Sequence, residues 1–264
     1  MSARPALPDR QFTWLHAPLR HWHSWWHMFY VASVVLALAL SPSSYTPEFR
    51  RLTAQHIHAS TWRVIPWFTA LSALLSLVLI RIVVVTALSY GLSQYALQMV
   101  VRVLVLELIP LAAALFVALR AGLAFNAGAV GVAAQPAVAP GPLDLAHLRD
   151  HLTPRVLADA FAVLALAMLS SVVILVLTYL TVYGLSPWGL PGFTRTVGQV
   201  FDLQVSLGFI LKTLFFSLAV AVVPMAASLE ATQQRVTDTI QPGAVRLFLV
   251  LFLLEATSLV VKYA

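Results

Sequence analysis

The chain has no cysteine, which excludes a disulfide framework and any thiolate metal site. Charge is almost as scarce: charged residues make up 10% of its 264 residues, against about 25% in soluble domains. The 16 Lys and Arg give a net charge of +6 but form no basic block, so their positions matter more than their sum. Neither the GxxxxGK[ST] phosphate loop nor a Gly-x-Ser-x-Gly elbow occurs, so this chain has no such site for ATP or for a nucleophilic serine. No internal repeat supports an inverted-repeat transporter. His23 and His27 are four apart and His56 and His58 two apart, yet no carboxylate or cysteine spacing completes a metal site, and no metal is expected. An intramembrane enzyme needs a paired acid and base, and none is evident.

Hydrocarbon is abundant. Hydrophobic residues make up 60% and mean hydropathy is +0.88. The chain therefore reads as an all-α, polytopic membrane helix bundle. A spanning helix needs roughly 20 mostly apolar residues. Five stretches qualify or nearly do: 64–88, 95–119, 156–183, 203–226 and 245–262. A sixth run, 25–40, is short and ends at Ser41-Pro42. Trp22, Trp25, Trp26 and Phe29 fall on one helical face there, which predicts an amphipathic helix in the membrane interface. Ala37-Leu38-Ala39 loosely resembles a signal-peptide cleavage site, but the long Trp- and His-rich lead-in is a poor match for one.

Charge chooses the topology. With five spans and a cytoplasmic N-terminus, the inside holds six Lys/Arg before residue 64, with Arg120, Arg149, Arg155, Arg235 and Arg246, while the outside holds Arg195 and Lys262. Making 25–40 a sixth span reverses the bias and breaks the positive-inside rule. The expected organisation is a cytoplasmic segment, 1–63, carrying the interfacial helix, and a five-span domain, 64–264. Residues 89–94 are expected to form a short outer turn and 184–202 a longer outer loop. The inner loop, 120–155, is Ala/Gly/Pro-rich in its first half. Its second half places Leu145, Leu148 and Leu152 on one face of a short helix before Pro154. Periodicity alone leaves two readings of that helix, a docking element or a linker resting on lipid.

Six ionisable residues fall within the spans: Arg81, Arg102, Glu107, Asp159, Lys212 and Glu255. Residue counting puts Arg81, Arg102, Lys212 and Glu255 at ~9–14 Å below the outer ends, with Glu107 deeper and Asp159 at an inner end. Such residues face a bundle interior or a wet cavity. Two readings stay open: ion pairs that pin helices together, or an outward-facing polar pocket for an anionic head group. Pro110, three residues after Glu107, predicts a helix bend and a local polar niche. Ala114, Ala118 and Gly122 recur every four residues beyond it, allowing close helix approach.

Four motifs in order carry a resemblance. "ELIP" (107–110), "LRAG" (119–122), "PRVLA" (154–158) and Asp202…Lys212-x-x-x-Phe216 are similar to the signature of MlaE-type permeases, and "PEFRR" (47–51) resembles the segment before that family's first span. Leu106, Ile109 and Leu119 stand where the family carries arginine, glycine and glycine. An Ala/Gly/Pro stretch also replaces its acidic run after Arg120. The resemblance implies the membrane subunit of an ABC system moving phospholipid between the bacterial inner membrane and a periplasmic MCE-type carrier. It implies a homodimer, a separate ATPase that binds ATP and Mg, and no cofactor in this chain. Glu107, Lys212, Arg102 and Arg81 are then expected along the lipid path, the first two at family positions, with Leu145, Leu148, Arg149 and Leu152 docking the ATPase. A non-transporting structural subunit and a small channel are the rival readings.

Overall fold

A computed structural model describes residues 47–132, 153–234 and 242–263, with a few scattered residues between 26 and 41. Among these residues every regular element is helical. α1 (Pro47–Ile57) leads through a widened turn (His58–Trp62) into α2 (Ile65–Ser89). α3 (Ser93–Val100) continues through a second wide stretch (Val101–Leu108) into α4 (Ile109–Val132). Then come α5 (Thr153–Tyr183), α6 (Leu190–Val200), α7 (Leu203–Gln234) and α8 (Pro242–Tyr263).

Among the described residues, five helices are long and apolar enough to cross a membrane: Ile65–Ser89, Tyr95–Ala121, Thr153–Tyr183, Leu203–Ala227 and Gly243–Lys262. These match the expected spans within a few residues. The reason is that about 20 apolar residues in a row have one low-energy state in lipid, a helix that satisfies its own backbone. The short helix before the spans is α1, packed against α5 through buried Phe49. The 25–40 run expected to lie in the interface falls almost wholly outside the described residues. So does the helix expected around Leu145, Leu148, Arg149 and Leu152.

The second and fourth spans form the centre, while the first and last turn most of their surface outward. The main core joins Ala113, Ala114 and Val117 of α4, Val163 and Leu166 of α5, Phe216 and Val220 of α7, and Leu247 and Leu251 of α8. Fully buried Ala113 and Ala114 let α4 lie close to its neighbours; of the expected small-residue repeat, Ala114 is in this core and Ala118 packs at its edge. Gly243 serves the same end between α7 and α8. A Cβ there would stand 2.6 Å from that of Ala227, so only glycine permits the approach.

Two local features depart from expectation. Residues 184–202 are not simply a loop, because α6 occupies most of them. Pro187, Gly189, Pro191 and Gly192 all precede or open that helix, where a missing N–H is harmless. Phe193 and Val200 anchor it against Leu97, Val101 and Phe209. The second feature lies at Pro110. Before it, Ile109 N–H reaches back five residues to the Leu104 carbonyl, so the helix is wound wider over Val101–Leu108. Proline falls where the ladder returns to ordinary spacing, so its missing N–H coincides with a register already interrupted. The turn at 89–94 is as expected, with Gly91 at φ 71° supplying the left-handed residue.

Candidate functional site

The wide stretch presents Glu107 toward α7 and α8. Lys212, in the third turn of α7, donates to Glu107 Oε2. Its Nζ also lies 2.8 Å from Glu255 Oε2 on α8. Lys262, seven residues further along α8, donates to the other Glu107 oxygen at 2.5 Å. Helical side chains lean toward the N-terminus of their helix, so Lys262 reaches back into the bundle and stays on the face of Glu255. Two lysines and two carboxylates from three helices thus form one balanced network. Lys212 is its hub, with a side chain only 4% exposed against 19% for Lys262.

The nearby polar groups do not compete for the hub. Thr213 returns its hydroxyl to the Phe209 carbonyl and Ser217 to that of Leu214. Phe216, one turn from Lys212 and fully buried, sets its ring 5.7 Å from the ammonium. The Lys-x-x-x-Phe spacing thus stacks a cation beside an aromatic face.

The structure gathers some of the residues singled out in the sequence and not others. Glu107 and Lys212 meet. Arg81 on α2 and Arg102 in the wide stretch are exposed and do not enter the network. The second cation beside Glu107 is Lys262, which the charge pattern assigns to the outer flank. Leu106, where the family carries arginine, is buried among apolar neighbours. Glu255-x6-Lys262 is two helical turns on one face, and that spacing is the signal that links them. Asp202 caps α7, accepting from the Leu203 N–H at 2.6 Å, well away from the hub. At the opposite end, Arg120 of "LRAG" and Arg155 of "PRVLA" both act on the charge of Asp159, so two separate motifs converge.

A bundle of five membrane-length helices joined by a charge network defines a polytopic membrane protein. The family model described as Permease MlaE matches residues 53–261. The chain belongs to the MlaE permease family, and so is a multi-pass, non-enzymatic membrane subunit of the ABC-transporter type. No curated protein and no solved structure matches it significantly.

Proposed function

We propose that this permease moves phospholipid between the bacterial inner membrane and a periplasmic MCE-type carrier. It works as a homodimer, with residues 1–63 on the cytoplasmic side ahead of a transport domain, 64–264. ATP and Mg are used by a separate ATPase. The observation that carries the reading is the Glu107–Lys212–Glu255–Lys262 network inside a chain of this family. Charges gathered between membrane-spanning helices are costly in lipid, and function is the usual reason for keeping them. In this reading Glu107 and Lys212 meet the lipid phosphate region, and exposed Arg102 and Arg81 attract anionic head groups on the way. The helix around Leu145, Leu148, Arg149 and Leu152 docks the ATPase.

Affinity purification from native membranes tests the assignment. The wild-type chain is expected to bring down an ATPase and bound phospholipid. Leu148→Asp places a charge on the apolar docking face, so it should lose the ATPase while keeping lipid and fold. Undiminished ATPase recovery would return that helix to a linker resting on lipid.

Orientation has a separate check, made simple by the absence of native cysteine. Leu185 is 91% exposed beside the turn that precedes α6. In spheroplasts, Leu185→Cys should react with an impermeant thiol reagent, and Ala139→Cys should react only after lysis. The reverse pattern would invert the topology.

A further inference from the structure

Within the network, Lys212 and Lys262 face Glu107 and Glu255, two cations against two carboxylates. A phosphate monoester or diester entering at that depth would add negative charge to a neutral cluster in a low-dielectric surrounding, which is strongly opposed. Entry therefore requires exchange, one carboxylate leaving a lysine as the phosphate arrives. The two carboxylates are not equally held. Glu107 accepts hydrogen bonds from both lysines, one on each oxygen. Glu255 meets one lysine, with Oε2 2.8 Å from Lys212 Nζ. One lysine against two makes its hold the weaker. Glu255 also sits on α8, whose span buries the smallest share of its surface of the five.

From this asymmetry we infer that Glu255 is an internal stand-in for the lipid phosphate. Its carboxylate covers the face of Lys212 that the head-group phosphate takes on loading, and returns when the lipid leaves. The inference rests on the phospholipid reading above and adds its specificity-determining residue. Exchange keeps the charge balance constant in both states. It also limits how tightly the phosphate is held, which a transporter needs in order to release its cargo. Glu107 stays on both lysines throughout and positions them.

Glu255→Gln keeps the shape and removes the competing charge. Binding is measured on the full-length dimer in detergent, with dioleoyl phosphatidylglycerol as probe and dioleoylglycerol, which lacks the phosphate, as control. The variant is expected to bind the phosphatidylglycerol at least about fivefold more tightly, the scale of a modest coupling between sites. Dioleoylglycerol binding should not change. Wild-type protein that binds no phosphatidylglycerol overturns the phospholipid reading itself. Wild-type binding that Glu255→Gln leaves equal or weakens overturns the stand-in alone. Inorganic phosphate that displaces the lipid at equal concentration would make the site one for a free anion and overturn the lipid assignment. Should Glu255→Gln fail to fold, Glu255→Asp withdraws the carboxylate by one methylene and should show a smaller gain. Loss of fold in both variants would make Glu255 a structural strut and end the proposal.

Discussion

Lys212→Met is expected to cost the purified protein about 3–5 kcal/mol, seen as a drop of roughly 10 °C in its thermal midpoint. Methionine fills much of the same space, so packing around Phe216 and Thr213 is largely kept. What is lost is the hub charge. Glu107 keeps Lys262, while Glu255 loses the lysine it faces and is left a carboxylate without that counter-ion. Breaking one partner out of such a pair is far more damaging than removing both. The double variant Lys212→Met with Glu255→Gln should therefore recover part of the loss, a non-additivity that packing effects would not produce. A Lys212→Met protein that melts with the wild type would show that the network contributes nothing to the fold.

Phe216→Ala should be comparably severe, about 3–5 kcal/mol. The ring is fully buried where α4, α5, α7 and α8 meet, beside Ala113, Leu166 and Leu251, so its removal opens a cavity that four helices cannot readily fill. Phe216→Leu separates the two roles of the ring. It restores most of the volume and loses the aromatic face beside Lys212, so the residual deficit should be on the order of 0.5–1 kcal/mol. A thermal midpoint for Phe216→Ala within a degree of wild type would refute its place in the core.

The two variants divide the bundle by kind of force. Around Phe216 the helices are held by close packing of small and large apolar groups, since lipid offers no hydrophobic drive between them. Around Lys212 they are held by charge, which is worth more there than in water because little solvent is present to screen it. The two regions lie one helical turn apart on α7, and the lysine and the ring touch both. Leu251, one turn before Glu255 on α8, joins the same core as Phe216.

Hydropathy and charge along the chain determined the number, order and approximate ends of the spans. The four ordered motifs determined the family. Both are sums over local residues: a span needs only about 20 apolar positions in a row, whatever packs beside it. The same holds for the turn at Gly91 and the small-residue face of α4. Which charges meet is another matter. Lys212 and Glu107 are 105 residues apart, and Lys262 and Glu107 are 155 apart. Their pairing depends on how each helix is rotated about its axis, and side-chain packing fixes that rotation. By residue count Glu107 is near the middle of its span, yet it contacts the last residue of the Gly243–Lys262 span. The wide winding over Val101–Leu108 changes how residue number maps to position along that helix. Arg81 and Arg102 share the depth expected of the pocket but point elsewhere, because depth follows from sequence position and direction does not. Only the tertiary structure drew Lys262 inward, turned α6 out of a glycine- and proline-marked loop, and set Glu107 against two lysines and Glu255 against one.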